Sequence, residues 1–280
     1  MKIVFWSPLH GQTCTTSALI SMAMSIALQQ KGIKTVVVQS HFSMNQMDYA
    51  FLGDSAKKNV LIRRGLDALF DASKSGDFSK ETVLSCLVDI TDNLQLVTAA
   101  SQVDQGVYAV QMDSMFGGVI NALDKYFELT FVDVNAGYSK TSVEIRDKAD
   151  ILVVCLNQNQ TVLVDFFDNH YAEVTKVIAP SRIFYLFGNY SLSSKNTMRN
   201  LAKKYRQLKP THCGAIIHNP NFMDAVSEGE VLRFFKKNVM CDKFDVNYPF
   251  VSNLDAAASK LLALVRKCST QRGGMYGAIR

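Results

Sequence analysis

No lysine falls between Lys2 and Lys31, no C-x-x-C pair occurs, and only 5 prolines are spread over 280 residues. So few prolines argue against long linkers, and the length suits one large α/β domain or two small ones. The six cysteines, at 14, 86, 155, 213, 241 and 268, stand singly. Cys155 and Cys213 lie in apolar runs, where cysteine behaves as a small buried hydrophobe. The expectation is a reduced, cytosolic chain without disulfides. No basic head with a cleavage site opens the sequence, so no signal peptide is expected. The apolar stretch from Ala18 to Gln30 is too short and too rich in Ser and Gln to span a bilayer. A G-x-G-x-x-G run is missing after the first apolar segment, and no acidic residue ends the second, which argues against a Rossmann dinucleotide site. An excess of either charge is also small, with 30 Lys and Arg against 25 Asp and Glu. A net +5 permits an acidic partner, such as nucleic acid or a membrane surface, without requiring one.

What is present begins with 48% hydrophobic residues, ample for a core and contrary to disorder. The chain is organised around Ser7-Pro8-Leu9-His10-Gly11-Gln12-Thr13-Cys14-Thr15-Thr16-Ser17. Lys2–Trp6 before it has strand character, and the apolar run after it is long enough for a buried helix. Strand, tight loop and helix opened by hydroxyls form the layout of a phosphate-binding loop. Hydroxyls accept hydrogen bonds from the unpaired N–H groups of a first helical turn, and the same terminus presents partial positive charge to an anion. A working loop of this kind carries a lysine for the β/γ-phosphates and a Ser/Thr for Mg²⁺. Thr15 or Thr16 suits the metal, but Cys14 stands where the lysine belongs.

Further strands are expected at 35–40, 94–100, 129–134, 151–156, 182–187 and 213–217. Helices are expected at 65–73, 80–88, 112–127, 141–149, 161–176, 194–207, 222–238 and 254–267. Continuous Val/Ile/Leu runs imply strands covered on both faces, as in a parallel sheet. Their alternation with helices implies right-handed βαβ units and a doubly wound, mostly parallel sheet of about seven strands with helices on both faces. The domain is expected to span 1–267, followed by a flexible basic tail over 268–280.

Ligands of such a sheet bind at the carboxyl ends of its strands. Asp133 ends an apolar strand with Gly137 four residues on, the layout in which a carboxylate orients Mg²⁺ or its water. Gly137 would let its N–H approach a terminal phosphate. The competing role for Asp133 is a turn cap. Gly188-Asn189 marks another strand end. His10 and His41 could meet at the loop mouth, though no third metal ligand of suitable spacing appears. Cys14 is either a low-pKa thiol at a helix N-terminus or, as the favoured reading, a small residue filling the loop.

These residues carry a family resemblance. Leu9 to Thr16 resembles the deviant Walker A box Lys-Gly-Gly-x-Gly-Lys-Thr-Thr of the ParA/MinD ATPases. Phe131 to Gly137 resembles their Walker B and switch II segment. Asn219, Pro220, Phe222, Ala225 and Gly229 resemble their late segment beside the adenine. The order of the three is more specific than any one of them. Within the family the chain looks most similar to the CpaE/TadZ-like branch that accompanies Tad pilus assembly. The resemblance implies a P-loop fold, ATP and Mg²⁺ as weakly bound cofactors, and a nucleotide site at His10, Gly11, Gln12, Thr13, Cys14, Thr15, Thr16, Gly137, Asn189, Asn219 and Pro220. Thr15 and Asp133 would serve the metal, with Asp133 catalytic. Asn189 resembles the adenine-contacting Asn of the family, against a cap role.

The departures are as informative. Leu9 replaces the signature lysine, Cys14 the P-loop lysine and Thr13 the last glycine, while Gln39 and His41 replace two switch I aspartates. A charged hydrogen bond to phosphate contributes ~1.5–3 kcal/mol. Losing two would weaken nucleotide binding by roughly two to four decades, at ~1.4 kcal/mol per decade. Hydrolysis should be slow or absent, since phosphoryl transfer relies on positioning and charge stabilisation. Arg146 and Lys140 are candidate substitutes, with solvated surface charge as the favoured alternative. The resemblance implies a positioning or assembly factor, a homodimer, and partner proteins on the switch face. An active ATPase that partitions DNA or cargo and a nucleotide-free scaffold are the alternatives. The expected location is cytoplasmic or peripheral at the inner membrane, although the glycines of the tail oppose an amphipathic anchor helix.

Overall fold

The computed structural model describes residues 1–30, 32–42, 46–57, 64–101 and 104–273, with side chains through 270 apart from residue 57. Its centre is one eight-stranded sheet in the order β3-β4-β2-β5-β1-β6-β7-β8. The strands are β1 (Lys2–Trp6), β2 (Thr35–Gln39), β3 (Val88–Thr91), β4 (Leu94–Leu96), β5 (Leu129–Asp133), β6 (Ile151–Leu156), β7 (Ile183–Tyr190) and β8 (Cys213–Ile217). Every neighbouring pair is parallel except β3–β4. This is the doubly wound sheet expected from the apolar runs, with one strand more than the expected seven.

The additional strand is β3. Only its first residue, Val88, fell within the helix expected over 80–88. That helix, α4 (Lys80–Ser85), is capped by Ser79 and stops early. Val88–Thr91 instead folds back on β4 through the two residues Asp92 and Asn93, a length and composition suited to a tight hairpin.

Alternate residues of β1 face opposite layers, as the two-residue period of a strand requires. Ile3 and Phe5 enter the core under helix α1 (Thr15–Gln29), while Val4 and Trp6 enter the core on the other face. Between Thr16 and Ala27, every side chain of α1 is buried, so a helix apolar on nearly every face is accounted for by burial between layers.

Helix α2 (Gln46–Leu52) and α3 (Gly65–Ser75) follow β2. The helix expected over 112–127 begins earlier, because the Asp104 side chain accepts from Val107 N–H at 2.9 Å and starts α5 (Gln105–Gln111). A π-helical turn at Met112–Phe116 then leads into α6 (Gly117–Tyr126). After β5 comes α7 (Lys140–Asp147), and after β6 come α8 (Gln160–Val164) and α9 (Tyr171–Val177), again joined by a π-helical turn. Helix α10 (Met198–Lys204) joins β7 to β8.

The helix expected over 222–238 is two helices, α11 (Pro220–Glu228) and α12 (Val231–Asn238), broken at Gly229 with φ 73°. The last helix, α13 (Tyr248–Gly273), runs past the point where the tail was expected to begin; residues 274–280 lie outside the described residues. Among the described residues, no helix is long and apolar enough to cross a membrane.

Candidate functional site

The loop between β1 and α1 lies at the carboxyl end of the sheet, beside the strand end that carries Asp133. Gly11 at φ 67° and Cys14 at φ 53° both adopt the left-handed conformation. Such turns can aim successive backbone N–H groups into one concavity, a geometry suited to an anion. Cys14 is the N-cap of α1 and makes no side-chain cap bond, so it leaves the first-turn N–H groups to another acceptor.

The Thr16 hydroxyl donates to Asp133 Oδ2 at 2.6 Å, which joins the helix start to the end of β5. Asp133 is fully buried, and its other oxygen, Oδ1, has no hydrogen-bond partner. Burial pushes the carboxyl above the usual carboxylate range, opposed by the nearby His41 and the Thr16 bond. His41 Nε2 stands 3.6 Å from Asp133 Oδ2. Gln39 pairs with Asp133 in the β2–β5 register, is itself fully buried, and has neither amide atom hydrogen-bonded. A carboxylate with a spare oxygen beside a hydroxyl is the kind of oxygen pair that a hard divalent cation takes, so these residues fit Mg²⁺, Thr16 being the hydroxyl that meets Asp133. Thr15, expected in that role, has its hydroxyl 3.1 Å from Thr13 Oγ1 and against Cys155.

The phosphate side of the site is more closed. Gly137 N–H, expected to face a phosphate, donates to Ser7 O at 2.9 Å. The Gly137 carbonyl accepts from Trp6 Nε1 at 2.8 Å. A Cβ on Gly137 would lie 3.0 Å from His10 Nε2, so the imidazole rests against the turn that follows β5. His10 thus contacts Gly137, while His41 contacts Asp133. Burial raises the Cys14 thiol pKa, contrary to the activated-thiol possibility.

No replacement cation reaches the loop from the two candidates. Arg146 is buried rather than solvated. Its guanidinium lies 5.1 Å from the Trp6 ring centroid and its Nε donates to Asp147 Oδ1 at 2.8 Å. Lys140 is exposed and 3.6 Å from Asp113 Oδ2.

Two contacts outside the expected set position the loop. Asn157 Nδ2 donates to Gln12 O at 2.7 Å. Gly188 packs so tightly on Thr13 that a Cβ there would overlap the Thr13 carbonyl. Asn157 follows directly on the β6 apolar run, and that strand-end position was its available sequence signal. Asn189, exposed and left-handed at φ 48°, borders a narrow cleft of about 30 Å³ with Cys14, Ser17, His218, Met223 and Phe250. Asn219 also borders the cleft, but its side chain is occupied. Its Oδ1 caps α11 at Phe222 N, and its Nδ2 donates to Asn247 Oδ1 at 2.9 Å. Pro220 follows at the first helical position. A larger cavity, about 260 Å³, lies apart between α6 and α7 and includes none of the loop residues.

No family model matches the sequence, and no curated protein matches it significantly. Solved structures do. A ParA family ATPase from Chlorobium tepidum superposes with a TM-score of 0.70 at 14% identity, over 92% of this chain and 98% of that one. MinD from the Aquifex aeolicus MinC:MinD cell division complex gives 0.64 at 13%, over 94% and 96%. Pyrococcus horikoshii septum site-determining protein MinD, complexed with Mg-ADP, gives 0.63 at 15%, over 95% and 99%. The chain has the fold of the ParA and MinD ATPases, over nearly its full length and theirs.

Proposed function

We propose that this chain is a ParA/MinD-like P-loop protein acting as a positioning or assembly factor, with weak ATP·Mg²⁺ binding and slow or absent hydrolysis. The observation that carries the reading is the 2.6 Å Thr16–Asp133 bond beneath a left-handed loop, with Asp133 Oδ1 unpartnered. Thr16 and Asp133 would hold the metal, whose charge would offset that of the phosphates. The loop N–H groups and the start of α1 would orient the phosphates, and Asn189 and Phe250 would border the base. Leu9 and Cys14 in place of lysines would account for slow or absent turnover and argue against an active partitioning ATPase. MinC:MinD is a complex of two proteins; by analogy, protein partners and a second copy of this chain are proposed to meet the switch face. Localisation of a Tad-type pilus is the finer assignment, and it rests on the sequence resemblance.

Thermal melting with millimolar ATP and Mg²⁺ tests the nucleotide part. Binding to the folded state should raise the midpoint by a few degrees, at about 2–4 °C per kcal/mol. Asp133→Ala should remove that shift. No shift for the parent chain sinks the nucleotide part.

A second reading, a scaffold that keeps only the fold, is favoured by one observation. Gly137 N–H is satisfied within the protein by Ser7 O, and His10 covers the turn. An unchanged melt together with retained partner binding would establish it.

A further inference from the structure

The cavity of about 260 Å³ between α6 and α7 contains none of the residues assigned above to nucleotide or metal. Two adjacent glycines keep it open. Gly117 and Gly118 begin α6 and line the cavity, and a Cβ on either would meet no atom within 4 Å. Neither adopts a positive φ. A helical glycine with neither a positive φ nor a close neighbour only lowers stability relative to alanine. What the pair supplies is a stretch of helix wall without side chains, beside a gap that α7 does not fill.

The cavity is apolar at its base and charged toward its ends. Val4, Met112, Ile120 and Ile145, all buried, form the base. Helices that connect parallel strands run back along the sheet, so α6 and α7 both run from its carboxyl edge to its amino edge. At the carboxyl end, Asp113 accepts from the Thr141 hydroxyl and stands 3.6 Å from Lys140 Nζ. At the amino end, Lys2 Nζ donates to Asn121 Oδ1 at 3.2 Å. Glu144 and Lys148 line the cavity one helical turn apart, Glu144 on the Asp113 side. Neither has a side-chain hydrogen bond or ion pair among the described residues.

Asp113 and Glu144 balance Lys2 and Lys148, so the lining carries no net charge. Such a lining selects neither an anion nor a cation; it suits a molecule with one charge of each sign and an apolar middle. The seven steps from Thr141 to Lys148 span about 10 Å at ~1.5 Å per helical residue. An extended peptide advances ~3.3–3.6 Å per residue, so two or three residues put an ammonium at one end and a carboxylate at the other. A free α-amino acid carries both charges on one carbon and cannot reach both ends. The volume lies just below the ~300–1,000 Å³ of pockets for drug-sized ligands, in keeping with so small an occupant.

We infer that this cavity binds a short zwitterionic peptide. Its ammonium meets Asp113 and Glu144, its carboxylate meets Lys2 and Lys148, and its central apolar side chain rests on Val4 and Ile145.

The test is calorimetric titration of the full chain, without nucleotide, with the tripeptide Ala-Leu-Ala. Saturable binding in the millimolar range or tighter is expected. Acetylating the peptide's amine or amidating its carboxylate removes one charged contact, and each should weaken binding about tenfold or more. Glu144→Gln with Lys148→Gln should weaken it similarly while the thermal melt stays unchanged. Gly117→Leu places a side chain in the gap and should abolish binding. Its melt should not fall, because a helical glycine is replaced where a Cβ meets open space. Absence of saturable binding by the parent chain overturns the inference. So does equal binding of the free and capped peptides, which would remove the charges from recognition. Undiminished binding by folded Gly117→Leu, or by the Glu144/Lys148 variant, would place the peptide elsewhere and overturns it as well.

Discussion

Asp48 and Asp133 are both carboxylates held in apolar surroundings, and they differ in what surrounds them. Asp133 has a hydroxyl, an imidazole and a spare oxygen at the end of a strand, the setting of a cation ligand. Asp48, on α2, accepts a single backbone bond from Ala99 N–H at 2.8 Å, and its other oxygen has no partner. Burial pushes its carboxyl up to about 7. An unfolded aspartate titrates near ~3.9. The folded state therefore favours the protonated form. Stability from this group is fully present below about pH 4 and is lost as pH rises through about 7. Asp48→Asn keeps an acceptor for Ala99 and removes the titration. The variant should be more stable than the parent at pH 8, by on the order of 1–3 kcal/mol, and the gain should vanish at pH 4. Paired urea titrations at the two pH values check this. Sequence reading had no means of finding Asp48, because its burial depends on α2 packing under α11, a contact between distant segments.

At the scale of elements, Gly229 shows how a local signal fixes long-range packing. A helix was expected to run through it, because the apolar periodicity continues from Phe222 to Phe235. Two facts end that helix. Gly229 adopts φ 73°, and its Cα lies where any Cβ would fall on the Gly53 backbone. The glycine thus closes α11 and lets it meet the segment after α2. Gly229→Ala combines a left-handed penalty of ~1–2 kcal/mol with a backbone overlap, so a destabilisation of about 2–4 kcal/mol is expected. A control at Gly76, also left-handed at φ 71° but with open space around it, should lose only the conformational part. Denaturant midpoints of Gly229→Ala and Gly76→Ala separate the two contributions. The strands were more legible than the helix ends. β6 is an unbroken apolar run and β1, β5 and β8 are nearly so, and their bounds follow from composition, whereas the starts of α5 and α13 depend on caps and packing that periodicity does not reveal.

Over the whole molecule, the convergence of the candidate residues at one edge of the sheet was readable and their local bonding was not. A loop between strand and helix, Asp133 at a strand end and Asn219 before a helix all fall at the carboxyl edge of the sheet, as their order along the chain implied. Hidden from sequence was the bond from Gly137 to Ser7, along with the burial of Arg146 against Trp6. The remaining question is whether the missing lysine or the closed loop limits nucleotide binding, and one substitution separates them. Cys14 already holds φ 53°, so a lysine there adds no new backbone strain, and the half-exposed position leaves its side chain a way out. A charged phosphate contact contributes ~1.5–3 kcal/mol. Cys14→Lys should therefore tighten ATP·Mg²⁺ binding by roughly one to two decades in calorimetry. That gain, lost again on Asp133→Ala, would mean that the fold still presents a phosphate cradle and lacks only its cation. No gain would mean that the Gly137–Ser7 bond and the His10 ring close the cradle whatever residue 14 is. The scaffold reading would then hold for the whole chain.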